Sequence, residues 1–146
     1  MRLSSPAFNY GDPIPKTYTC DGQNINPPLI IEAVPQGTIS LALIMDDPDA
    51  PMGTWVHWVL YNINRETKEI VEDSVPIGAI EATTSFGKPA YGGPCPPDRE
   101  HRYFFKLYAL DADLVGDKIA NKQDLEKAME GHILEMGELM GVYDLE

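Results

Sequence analysis

The 146-residue sequence predicts a mainly β domain with one amphipathic helix near its C-terminus, on three observations. Thirteen prolines and 12 glycines punctuate the chain with turns, which disfavours a helical bundle. Between the turns lie short apolar runs rich in β-branched and aromatic residues, the pattern of strands. A helical period occurs only over residues 121–136. With 43% hydrophobic residues the chain can build one core, so residues 1–146 read as a single domain.

Residues 1–28 hold short apolar anchors such as Phe8 and Ile14 among Pro, Gly and Asn, and read as an irregular arm or a set of short edge strands. Leu29–Ala33 is a strand-like run closed by the turn Pro35-Gln36-Gly37, and Ile39–Met45 is another, ended by the proline-bearing Asp46–Pro51. Trp55–Asn62 and Tyr103–Leu110 carry large apolar residues on both parities, which marks strands covered on both faces and places them mid-sheet. Last, Leu125, Ala128, Met129, His132, Ile133 and Met136 recur at helical spacing. Asn121 as N-cap and Asp124 in the first turn set the helix start near 121, with His132 on the helix and away from any site.

Eleven basic against 23 acidic residues give a formal charge of -12, which argues against nucleic acid or an anionic membrane as the main partner. No run approaches the ~18 to 20 apolar residues that a spanning helix needs. Residues 1–15 have no apolar leader behind Arg2, so the expectation is an unexported, cytoplasmic protein. Two cysteines are too few for a disulfide framework and lack metal-site spacing; Cys20 and Cys95 could meet, but a reducing cytosol makes free thiols the default.

Three stretches combine polar groups with unusual backbone. Asp46-Asp47-Pro48-Asp49-Ala50-Pro51 concentrates carboxylates at a strand mouth, where Asp also commonly caps backbone N–H groups. In Trp55-Val56-His57-Trp58, alternation puts His57 on the face of Trp55, Val59 and Tyr61, a setting that also suits a satisfied core histidine. Tyr91–Pro97 is a Gly-Pro loop leading to His101-Arg102-Tyr103, where period-2 geometry puts His101 and Tyr103 on one face with Phe105 and Leu107, and Arg102 on the other. A carboxylate, two imidazoles and a phenol suit a compact oxyanion, because imidazolium and phenol donate hydrogen bonds and the carboxylate keeps a histidine charged.

Asp47–Pro51, Trp55–Trp58 with His57, and Gly93–Pro97 followed by His101–Tyr103 resemble the motifs of the phosphatidylethanolamine-binding protein family, which includes Raf kinase inhibitor protein. Ser5–Phe8, Tyr18–Gly22 and Gly131–Leu134 resemble its bacterial and archaeal branch, so the similarity spans nearly the whole chain. The resemblance implies an antiparallel Greek-key β-sandwich with a small anion pocket at one end. It also implies a binding module that, in some members, inhibits or scaffolds a kinase or protease. Carried over by residue, the pocket comprises Asp47, His57, His101 and Tyr103, walled by Pro51, Trp55, Gly93 and Pro94, with Asp49 and Arg102 paired behind it. The sequence departs from the branch pattern at Ile31 and over Ala82–Ser85, which leaves the rim open.

The resemblance also implies that Cys20 and Cys95 lie close, and that Ala50–Pro51 is cis in a sharp reversal after Asp47. The expected ligand is phosphate or a phosphomonoester headgroup, bound without turnover, with no cofactor and no metal. The expected partners are a phosphorylated ligand and a kinase or protease, with a homodimer as the assembly. The alternative is a metal-assisted phosphoester hydrolase using Asp47, Asp49 and the histidines. A cysteine hydrolase at Cys95 is disfavoured because Pro94 and Pro96 strip the backbone of N–H donors.

Overall fold

In the computed structural model, which describes residues 1–115 and 118–145, the apolar runs between the turns form antiparallel ladders. The elements are β1 (Arg2–Ser4), β2 (Leu29–Glu32), β3 (Ser40–Asp47), β4 (Trp55–Asn64), β5 (Glu69–Ile70), β6 (Ile80–Glu81), β7 (His101–Leu110), α1 (Lys122–Met129) and β8 (Ile133–Tyr143). They build a three-stranded sheet, β1-β2-β5, and a five-stranded sheet, β6-β4-β3-β7-β8. Within the larger sheet β3, β4 and β6 neighbour in sequence and β7 returns beside β3, which is a Greek key. The expected sandwich, with β4 and β7 in interior positions, is therefore present.

β3 lies at the centre, and all eight of its residues are buried because its two faces meet different layers. Leu41, Leu43 and Met45 face the small sheet and pack with Leu29, Ile31 and Ile70. Ala42 and Ile44 face the opposite way, onto Leu125 and Met129 of α1. Each of these fully buried Leu, Ile and Met side chains contributes about 1.5–3 kcal/mol of transfer free energy. Asp46, also on the helix side, is buried between Lys122 at 2.8 Å and Lys106 at 3.3 Å, and so fastens the start of α1 to the sheet.

The helix begins where expected, with Asn121 Oδ1 accepting from the Asp124 N–H at 2.9 Å. It stops at Met129, earlier than the period suggests, because Gly131 takes φ +78° and turns the chain back. His132 is therefore in a turn rather than on the helix, and bonds Asp111 at 2.8 Å. Ile133 and Met136 belong to β8, which pairs with the full length of β7. His132 does lie far from the histidine pocket, at the opposite end of β7 from His101.

No helix among the described residues is long and apolar enough to cross a membrane. The opening arm reads as expected, one short edge strand and a single 3-10 turn at Lys16–Tyr18, anchored in the core by Phe8 and Ile14.

Candidate ligand-binding site

Antiparallel pairing brings the end of β3 to the starts of β4 and β7. Asp46 stands opposite both Val56 and Phe104, so Asp47, His57 and Tyr103 collect at one end of the large sheet. The register between β3 and β4 slips there: Met45 faces Trp58 while Asp46 faces Val56, leaving His57 as an extra residue. This bulge corrects the strict alternation expected for β4. His57 does not share a face with Val59 and Tyr61; those residues and Val56 face α1, whereas the His57 ring meets Tyr103 on the inter-sheet side at 5.2 Å. On β7 no bulge intervenes before the site, and His101, Tyr103, Phe105 and Leu107 share a face as expected.

These side chains line a cavity of about 440 Å³, with Asp47, His57, His101 and Tyr103 as its polar groups and Pro51 and Trp55 in its wall. Gly93 and Pro94 lie outside that lining, where the Gly-Pro loop meets the N-terminal arm. The Gly93 N–H donates to Asn24 Oδ1 at 2.8 Å and Pro94 O accepts from the Cys20 N–H at 3.1 Å. A Cβ at Gly93 would stand 2.2 Å from Tyr18 O, so only glycine lets this loop seat on the N-terminal arm. Cys20 and Cys95 are close as expected, at a Cα separation of 5.5 Å, but they form a disulfide; the expectation of free thiols is overturned. The backbone seating brings the sulfurs together, and Cys95 has no thiolate to offer as a nucleophile.

The turn after β3 forms without a cis peptide. No cis bond occurs among the described residues, so Ala50–Pro51 is trans and that expectation is corrected. The reversal comes instead from Asp47 Oδ1 accepting the Asp49 N–H at 2.8 Å, and from Gly53 at φ +107°. Asp49 and Arg102 pair as expected: the guanidinium grips both carboxylate oxygens at 2.8 and 2.9 Å, and holds the Asp49 pKa down at about 2.

The two histidines differ. His57 is buried with Nδ1 2.6 Å from Gly92 O, to which it donates, and burial pushes its pKa down. Near neutral pH it is an uncharged ring with its lone pair on Nε2. His101 is also buried, which opposes charge, yet hydrogen bonds to Asp47 from Nδ1 at 2.6 Å and to Asp98 from Nε2 at 2.7 Å more than offset this and raise its pKa. It is the imidazolium of the site. Tyr103 is fully buried, and its Oη is, among the described residues, the buried side-chain polar atom that closes no hydrogen bond. Burial raises its pKa, an effect the nearby Cys95 amide reduces, so it stays a phenol.

The residue motifs missed the apolar rim and one acid. Met52 is 97% exposed, and Phe86 packs edge-on against both Trp55 and His57, so the mouth of the cavity is hydrophobic. Phe86 follows the Ala82–Ser85 stretch already noted as atypical, but nothing in its spacing points to the rim. Asp98 stands three residues before His101, the one signal that could have suggested their bond.

A sandwich whose strand ends gather a carboxylate, two imidazoles and a phenol around an apolar-mouthed cavity defines a class of binding protein. Comparison places the chain within it: residues 4–144 match the phosphatidylethanolamine-binding protein family, to which the chain belongs. It is 48% identical to a UPF0098 protein of Chlamydia pneumoniae, covering 99% of both chains. It is also 48% identical to a UPF0098 protein of the archaeon Methanothermobacter thermautotrophicus, covering 98% of both. Its fold superposes on the crystal structure of a phosphatidylethanolamine-binding protein homolog from Chlamydia trachomatis with TM-score 0.95 and 42% identity, covering 99% of this chain and 97% of that one.

Proposed function

We propose that this protein is a non-enzymatic binding module whose end cavity takes up a small oxyanion, phosphate or a phosphomonoester headgroup, while the apolar rim holds the group attached to it. One observation carries the reading: a fully buried phenol faces the cavity with no acceptor in the protein. A buried hydroxyl without a partner costs about 1–3 kcal/mol, so its retention makes sense where a ligand supplies the acceptor. Protonation of His57, whose pKa burial pushes down, adds a second donor at lower pH.

A hydrolase built on the same groups is less well supported. Asp47 is committed to His101 and to the Asp49 N–H, Asp49 is committed to Arg102, and both His101 nitrogens already face carboxylates. No cluster of three or more metal-ligating groups occurs among the described residues. Inhibition of a kinase or protease, and assembly as a homodimer, are proposed on the family resemblance; inhibition assays and sedimentation test them.

Calorimetric titration of wild type, Tyr103→Phe and His57→Ala with inorganic phosphate and with phosphoethanolamine tests the pocket. Weak saturable binding that tightens below the ordinary histidine range and is lost in Tyr103→Phe is expected. Equal affinities in all three proteins would remove the cavity from the account, and release of phosphate from the ester would make the protein an enzyme.

A further inference from the structure

The anion site contains an anion of its own. Asp98 Oδ1 lies 2.7 Å from His101 Nε2, on the short loop between Pro97 and β7. His101 is closed off from solvent whereas the Asp98 side chain is 45% exposed, so a buried cation is capped from outside by a carboxylate that can swing into water. The same Oδ1 accepts the Arg99 N–H at 2.9 Å, which helps hold the carboxylate at the Nε2 edge of the ring. Cys95, held by its disulfide, fixes one end of this loop and the β7 ladder fixes the other. Asp47 has no such freedom, being buried and bonded through both oxygens.

We infer that Asp98 is a tethered competitor: it occupies the His101 donor in the unliganded pocket, and an incoming oxyanion binds by displacing it. The inference rests on the proposed anion-binding reading and adds to it a specificity. A singly charged carboxylate only replaces like with like and must overcome the tether. A phosphate or phosphomonoester brings more charge and further acceptor oxygens, which reach the Tyr103 phenol as well. Asp98 thereby biases the site toward phosphate chemistry and keeps its affinity low.

The test uses inorganic phosphate and acetate as probes, titrated by calorimetry at one pH within the histidine range into wild type, Asp98→Ala, Asp98→Asn and Glu100→Gln. Glu100 supplies the control for net charge: it lies on the same loop and is exposed, and the two ring nitrogens of His101 bond Asp47 and Asp98 instead. Freeing a charge-assisted donor should tighten phosphate binding about tenfold or more in Asp98→Ala. Asp98→Asn, which keeps an acceptor without the charge, should fall between. Acetate should bind Asp98→Ala and not wild type. Equal phosphate affinity in wild type and both Asp98 variants would overturn the competitor while leaving the pocket standing, as would acetate binding equally to wild type and Asp98→Ala. An equal gain in Glu100→Gln would reduce the effect to general repulsion and overturn it too. Failure of every protein, Asp98→Ala included, to bind phosphate would overturn the anion-site reading together with the inference.

Discussion

Replacing Tyr103 by phenylalanine should make the protein more stable and a poorer binder at once. The side chain is 0% exposed and its hydroxyl closes no hydrogen bond, so the native state carries an unpaired buried hydroxyl that phenylalanine lacks. That penalty is about 1–3 kcal/mol, and the nearby Cys95 amide places the expected gain at the lower end, about 1 kcal/mol. The ring itself stays, with its edge-on contact to His57 at 5.2 Å, so no cavity offsets the gain. For a chain of 146 residues this corresponds to a rise in Tm of roughly 3 °C. Urea unfolding of the oxidised proteins must be done in phosphate-free buffer, because a ligand bound only by the native state would stabilise wild type by mass action. Adding phosphate should then narrow or reverse the difference. A Tyr103→Phe protein less stable than wild type in phosphate-free buffer would refute the reasoning, since it would mean that the hydroxyl has a partner within the fold.

Removing the disulfide by Cys20→Ser with Cys95→Ser opens a link across 75 residues, and loop-closure entropy sets the loss at up to about 4–5 kcal/mol; unfolding free energies from denaturant titration that differ by less than about 1 kcal/mol would contradict this. Gly93→Ala forces a Cβ to within 2.2 Å of Tyr18 O, a backbone atom that cannot step aside, so a cost of about 1–3 kcal/mol and displaced amide resonances for Gly92 are expected, and unchanged spectra would count against the seating described. His101 has a raised native pKa, so its contribution should be complete below the unfolded value of about 6.5 and fade as pH rises through the higher native one. The stability difference between wild type and His101→Ala should shrink with rising pH; growth over that range would show the sign to be wrong.

The parity of β7 was legible because nothing interrupts it: His101, Tyr103, Phe105 and Leu107 alternate with outward residues and fall on one face, as period-2 geometry requires. His57 was found by type but assigned to the wrong face, since a bulge depends on the partner strand and leaves no mark in local sequence. β8 was hidden for a related reason. Ile133–Met136 are all exposed, so the first four residues of the strand show no inside-outside alternation, and their apolar members also fit a helix. Gly131, which falls inside the apparent helical period, takes a positive φ just past the end of the helix at Met129. The disulfide could not be read from spacing, because it follows from how the Gly93 loop seats on the arm. Asp98 was overlooked because a lone carboxylate in a Pro-rich loop has no pattern.

The ten residues of β4 run beside the eight of β3, and the two surplus residues are spent at separate places, His57 and the Tyr61–Asn62 step, where Asn62 takes φ +53°. Each surplus residue acts as a phase change in a two-step wave. Trp55 and His57 belong to one phase, Trp58 and Leu60 to the next, and Ile63 to the first again, yet all five face the inter-sheet side. The site is thus encoded by count as well as by identity. Deleting one residue from the 48–54 turn, with the bulge taking up the slack, would place His57 opposite Asp46 in a regular ladder and leave every remaining side chain chemically intact, yet it would turn the imidazole and Trp55 toward the helix. Substitutions would edit such a pocket gradually, whereas a one-codon deletion would remove it in a single step.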